Sequence, residues 1–163
     1  MRGERVGLRW QCGTARHLGL SAFHAMLELR ADVFIVEQQC AYADIDGRDL
    51  LEGVRHLLCW RDKTLLACAR LLPPLTVYDG STIGRVVVAR QARGHGLAHE
   101  LIRRSINECY RRWPTQDIWL GAQAHLQHFY AAHGFVRCSE DYLEDGIAHL
   151  DMRRCVQAPP ARG

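Results

Sequence analysis

Residues 88–102 read VARQARGHGLAHELI. An apolar strand end runs through Arg93, Gly94 and Gly96 straight into Leu97, Leu101 and Ile102 at helical spacing. Two glycines between a strand and a helix keep side chains away from the backbone just where the unpaired N–H groups of the helix N-terminus are concentrated. Such a turn suits an anion, and three phosphate-binding patterns compete for it. A Walker-type loop needs GxxxxGK followed by Ser or Thr, and the chain contains no such string. A dinucleotide fingerprint needs a third glycine three residues after Gly96, where His99 stands instead. The pattern Q/R-x-x-G-x-G/A is met by Arg93, Gly96 and Ala98. The N–H groups of Gly94, His95, Gly96, Leu97, Ala98 and His99 would then form the anion nest. Six residues alone are equally compatible with a plain glycine turn.

The flanking segments set the architecture around this unit. Val6, Leu8, Trp10 and Cys12 alternate weakly as a first strand, and Ser21 is placed to cap a helix carrying Ala22, Met26, Leu27, Val33 and Phe34. Residues 40–55 form an acidic loop with a short second helix. HLLCW and TLLACARLL, separated by RDK, read as a hairpin, and TIGRVVV as a third, β-branched strand. The helix opened by the glycine turn carries Leu97, Leu101, Ile102, Ile106, Cys109 and Trp113 on one face and stops at Pro114. DIWLGA is a strand, AHLQHFYAAH a helix capped by Gly134, and FVRC and IAHLDM are closing strands. The order predicts an α/β fold with a mixed, largely antiparallel sheet. One domain over residues 1–155 would be followed by a loose tail, 156–163.

Bulk properties exclude several classes. A chain of 163 residues, 48% hydrophobic, can bury one real core. A net charge of +3 with scattered basic residues argues against a nucleic-acid partner; Arg103-Arg104 and Arg111-Arg112 fall on the solvent face of one helix. No apolar run approaches the roughly 20 residues that span a bilayer. Seven cysteines with no CxxC pair argue against disulfides or structural zinc, and for a reducing, cytoplasmic setting. His125, His128 and His133 lack the carboxylate or thiolate that would complete a metal set. DIDGRD fails the calcium-loop order because Gly47 directly follows Asp46.

A second stretch, GAQAHLQHFYAAHGF, adds Gln123, Phe129, Tyr130, Gly134 and Phe135 after a strand end. Together the two stretches resemble the acetyl-CoA-binding motifs of the GNAT N-acetyltransferase superfamily. Four blocks, LRADVFIVEQQCAYADIDGRD, IGRVVVARQARG, GAQAHLQHFY and EDGIAH, narrow the resemblance to ElaA-like proteins. It implies the GNAT fold: a mixed sheet of six to seven strands, splayed at the acetyl-CoA site and flanked by about four helices. It also implies metal-free transfer of an acetyl group from acetyl-CoA to a primary amine of a small molecule or peptide. Residues 94–99 would hold the CoA diphosphate, with Arg93 at the mouth of the nest and Gln123 on the facing strand. Val86, Val87 and Val88 would pair with the pantetheine arm like an added strand, one of their N–H groups polarising the thioester carbonyl. Homodimers are common in such folds.

Two protons must move, one off the amine and one toward the leaving sulfur. The motif places Tyr130 near the sulfur. Glu37 and His149 are the leading candidates for the base, with His125, Asp46, Glu144 and a water chain left open. Two acidic stretches, Asp44–Glu52 and Glu140–Asp145, would attract a cationic acceptor. Acyl-homoserine-lactone synthases, which share the fold, and a non-catalytic CoA sensor are the competing readings. The acceptor itself is not named by any residue pattern.

Overall fold

The computed structural model describes residues 7–156. Val6 and residues 157–163 of the expected tail lie outside the described residues. Strand β1 (Leu8–Gly13) leads into α1 (Ala15–Leu18), whose first turn is capped by the Thr14 hydroxyl accepting the His17 N–H at 3.1 Å. Gly19 breaks that turn and serves as N-cap of α2 (Leu20–Arg30). Ser21 is therefore inside the helix and not its cap, because Thr14 and Gly19 supply the stop and start signals earlier. The chain continues through a π-helical segment, Ala31–Glu37, a geometry that recurs at functional sites. The short helix expected within 40–55 is replaced by turns held through ion pairs.

Strands β2 (Arg55–Arg61) and β3 (Thr64–Leu72) form the expected hairpin, followed by β4 (Ser81–Val88). Helix α3 (Leu97–Arg112) buries Leu97, Leu101, Ile102, Ile106 and Cys109, while Arg103 and Arg104 pair with Glu100 and Arg111 with Glu108 on its outer side. After β5 (Ile118–Gln123) comes the short helix α4 (Gln127–Ala131), then β6 (Val136–Arg137), β7 (Tyr142–Glu144) and β8 (Ile147–Arg154). The sheet has eight strands in the order β1-β2-β3-β4-β5-β8-β6, with β7 added on β8. That is one or two more than expected: β7, inside the acidic stretch 140–145, is an added strand that pairs with the expected strand β8 in a hairpin about Asp145-Gly146.

Among the described residues only β4 and β5 run parallel. Helices α3 and α4 cover one face, Ile102, Ile106, Cys109 and Tyr130 packing on Leu71, Ile83, Leu120, Leu150 and Met152. Met26, Leu29 and Val33 cover the other face over Leu58, Trp60, Cys68 and Val87. That second layer stops at β4. Over β5 and β8 the same face is left open, and Gly121 is exposed in the middle of an interior strand.

Candidate active site

The parallel pair β4–β5 is in register at Ser81–Ile118 and Thr82–Trp119 and nowhere beyond. From Ile83 and Leu120 onward the strands diverge toward their C-terminal ends, leaving a wedge whose two edges are not paired with each other. A bulge bends β4 at the same point. Arg70 faces Gly84, but Cys68 faces Val87, so β4 holds one residue more than β3 there. Arg85 takes φ +50°, and the parity of β4 flips: Ile83 and Val86 both face α3, while Val87 faces α2. The Ala89 N–H donates to Leu66 O at 2.7 Å. Strand alternation therefore turns the Val88 N–H and carbonyl away from β3 and into the wedge.

The glycine turn closes the wide end of this wedge. Gly94 and Gly96 lie at φ +84° and +79°, and a Cβ on Gly94 would meet no protein atom within 4 Å. Gly96 is the N-cap of α3 and no side chain caps the helix, so its first-turn amides are available to a ligand. The positive-φ positions are 94 and 96, whereas Ala98 is already helical. The pattern Q/R-x-x-G-x-G/A thus fits the backbone in the register that starts at exposed Gln91. Sequence reasoning passed over Gln91 by counting from Arg93, although the two adjacent glycines were the signal.

Arg93 itself is committed elsewhere. Its guanidinium makes a two-point pair with Glu37, Nη1 to Oε1 and Nη2 to Oε2 at 3.0 Å, and its Nε donates to Val88 O at 3.0 Å. That hydrogen bond and charge hold the Glu37 carboxyl below its ordinary range. His95 is exposed at the turn. His99 shares a 2.9 Å hydrogen bond with His133 on the far side of α4 and packs on Phe129. Among the described residues no three ligating side chains converge as a metal site.

Tyr130 lies under the wedge, in the cluster that holds Ile83 and Val86 from β4 and Leu120 and Ala122 from β5. Its ring packs edge-on against Phe129 and Phe135. The hydroxyl has no hydrogen-bond partner among the described residues, and burial pushes it up to about 12.

The open face presents a second set of groups. Trp119, Gly121 and Gln123 on β5 pair with Arg153, Asp151 and His149 on β8, so all six share that face. His149 Nδ1 lies 2.8 Å from Ile147 O. A carbonyl only accepts, so Nδ1 donates there and Nε2 is the ring nitrogen left to the cleft, 3.7 Å from Glu144 Oε2. Gln123 Nε2 donates to Gln38 Oε1 at 3.3 Å, and Cys40 Sγ reaches Asp145 O at 3.4 Å, so residues 38–40 bridge the cleft. Asp46 belongs to a buried ion network and His125 sits in the turn before α4. Asp44, Asp46 and Asp49 are bound to Arg30, Arg70 and Arg85, and give no free negative field to the cleft.

Residues 28–155 match the family model described as an acetyltransferase (GNAT) domain. Escherichia coli protein ElaA is 42% identical over 149 residues, 91% of this chain and 97% of that protein, and its crystal structure superposes with a TM-score of 0.85. An acyl-CoA N-acyltransferase from Pseudomonas aeruginosa is 46% identical with a TM-score of 0.87, covering 91% of this chain and 99% of that one. The CoA-dependent acyl-homoserine lactone synthase BjaI, solved with SAM and isopentyl-CoA, is 17% identical with a TM-score of 0.74, covering 93% of this chain and 84% of that one. That last likeness is one of fold alone.

Proposed function

This chain belongs to the GNAT acetyltransferase family, with ElaA among its relatives, and from that premise we propose that it transfers the acetyl group of acetyl-CoA to a primary amine by direct attack. The observation that carries this reading is the wedge: two strands paired at two positions and then splayed, with a bulge on one side and a glycine nest at the mouth. An acyl thioester supplies an activated carbonyl and a leaving sulfur. A pantetheine arm entering the wedge would find the Val88 N–H and the amide next to the bulge, at Val86, as strand-like partners. The amides of residues 94–99 would take the diphosphate.

This chain's own groups then divide the proton work. His149 Nε2, fixed as an acceptor by the Ile147 carbonyl, removes the proton that keeps an ammonium from attacking. The backbone N–H at the bulge polarises the carbonyl. Tyr130 stays protonated at neutral pH and directs an unpartnered hydroxyl at the departing sulfur. With a phenol near 12, above the range of an ordinary thiol, Tyr130 stabilises the thiolate by hydrogen bonding and keeps its own proton, while the second proton, shed by the nitrogen as the tetrahedral intermediate collapses, passes to the departing sulfur. Glu37 is a poor base by comparison, since Arg93 lowers its basicity and occupies both of its oxygens.

The test is thiol release from acetyl-CoA over a panel of amines, repeated with longer acyl donors. Turnover with acetyl-CoA and an amine supports the reading. Tight CoA binding without turnover on any amine, or turnover with long acyl donors alone, overturns it.

A further inference from the structure

Tyr78 and Tyr142 reach the cleft from different segments, one before β4 and one on β7, and both donate to the same carboxylate oxygen. The Tyr78 hydroxyl lies 2.7 Å and the Tyr142 hydroxyl 2.8 Å from Asp151 Oδ1. Each ring is held in turn, Tyr78 stacked on Trp119 at 5.0 Å and Tyr142 on His149 at 6.1 Å. The second oxygen of Asp151 has no hydrogen-bond partner among the described residues and is not sealed from solvent. The arrangement stands beside Gly121, where an added Cβ would come within 3.2 Å of the Tyr142 hydroxyl and 3.9 Å of Asp151 Oδ1. Across the wedge, counting on from Thr82–Trp119, Gly121 is level with Gly84 and the bulge at Arg85.

The charges around this spot are uneven. Arg85 is spent on Asp44 and Asp46, and Arg153 lies against Trp119 with Asp117 as its partner. Glu144 is exposed and Asp151 has a free oxygen, so this end of the cleft floor carries negative charge, and among the described residues no Lys or Arg is paired with Asp151. A carboxylate oriented by two phenols is a fixed hydrogen-bond acceptor for an incoming cation.

We propose that Asp151 is the acceptor anchor, binding the primary ammonium of the substrate above Gly121, with Tyr78 and Tyr142 as positioning residues that aim its free oxygen. This rests on the acyl-transfer reading for its place in the reaction, but the cation site is a property of the cleft. The ammonium is gathered by Asp151 and then gives its proton to His149 Nε2, which neighbours Asp151 along β8. Gly121 is the specificity position, since any side chain there fills the space over the carboxylate.

The experiment pairs binding with kinetics. Ethylamine, butylamine and benzylamine are titrated by NMR against the full chain in the presence of CoA, alongside the matching uncharged alcohols. The wild type binds amines in preference to alcohols. Asp151→Asn, which keeps the phenol contacts but removes the charge, loses that preference, with amine KM rising about ten- to a hundredfold, donor KM unchanged and kcat changed least. Tyr78→Phe and Tyr142→Phe give smaller rises of the same kind. Gly121→Val, on an exposed extended backbone, raises amine KM while CoA binding is retained. Amine-selective binding that depends on Asp151 without acetyl transfer supports the site and sinks the acyl-transfer reading. Acetyl transfer with an unchanged amine KM in Asp151→Asn overturns the anchor and leaves the reading standing. Loss of kcat alone, at constant amine KM, also overturns the anchor.

Discussion

Glu37 and Arg93 meet face to face, carboxylate to guanidinium, across 56 residues of sequence. The pair joins the end of the π-helical segment to the turn that would hold the donor diphosphate, and Arg93 Nε ties both to the edge of β4 at Val88 O. Its consequence is chemical as well as mechanical. A carboxylate in this grip stays ionised well below neutrality and has both oxygens engaged by Arg93.

Glu37→Gln should therefore leave the acidic limb of the pH–rate profile where it is. The pair is largely exposed, so stability should change by less than about 1 kcal/mol. A donor KM that rises while the pH profile holds its shape identifies a bridge that positions the turn. Disappearance of the acidic limb would return Glu37 to the role of base.

His149→Gln should remove that acidic limb of kcat/KM, because it deletes a cleft imidazole whose Nδ1 is tied to a carbonyl. CoA binding, measured separately, should be unaffected. A limb that persists in this variant points to solvent as the proton acceptor.

Tyr130→Phe should cut turnover about tenfold or more, the worth of a hydrogen bond to a charged leaving group. Little stability should be lost with it, since the hydroxyl has no partner among the described residues to lose and the ring contacts with Phe129 and Phe135 remain. Unchanged turnover would remove Tyr130 from the mechanism.

The glycine turn and its flanking elements were readable because their signals are local. Gly94 and Gly96 stand where the backbone needs positive φ, and the strand before and helix after them follow from period alone. The proposed acceptor side depends on long-range pairing that no window of sequence contains. Asp44, Asp46 and Asp49 read as a free acidic loop, yet Arg30, Arg70 and Arg85 arrive from α2, β3 and β4 to neutralise them. Tyr78, Tyr142 and Asp151 come from three separate segments. The β7–β8 hairpin did carry a signal, Asp145-Gly146, but its first strand is three exposed residues with no apolar alternation to announce it.

Gly94→Ala separates the two jobs of the turn. A Cβ there meets no protein atom, so the cost to the fold is the left-handed backbone alone, about 1 kcal/mol. The same methyl stands over the nest and should raise donor KM about tenfold or more. Equal effects on unfolding and no effect on CoA affinity would mean that the turn holds no diphosphate.

The last prediction concerns the ion network that fixes the loop beside the cleft. Arg30 is fully buried and bonds Asp44 Oδ2 at 2.9 Å, Asp49 Oδ1 at 2.7 Å and Asp44 O at 2.8 Å. Arg70 adds Asp46 and Asp49. Replacing Arg30 by Met should destabilise the chain by about 3–5 kcal/mol in urea, because two carboxylates are left without their buried partner. The pH dependence has a definite sign. Burial would raise Asp46 and Asp49, but the hydrogen bonds and charges of the arginines outweigh it and both fall below the usual carboxylate range. The unfolded chain therefore binds more protons than the folded one below about pH 4, and the stability these groups confer is lost as pH falls through that region. His56, buried beside them with Nε2 3.0 Å from Asp49 O, is also depressed, chiefly by burial. It adds a loss of the same sign that begins as pH drops below about 6.5. Urea midpoints should thus decline in two stages on acidification, and His56→Gln should shrink the first stage, leaving the part carried by His133, which burial also depresses, and leaving the second stage unchanged. A wild-type midpoint flat between pH 7 and pH 5 would show that His56 is protonated as readily in the folded chain as in the unfolded one.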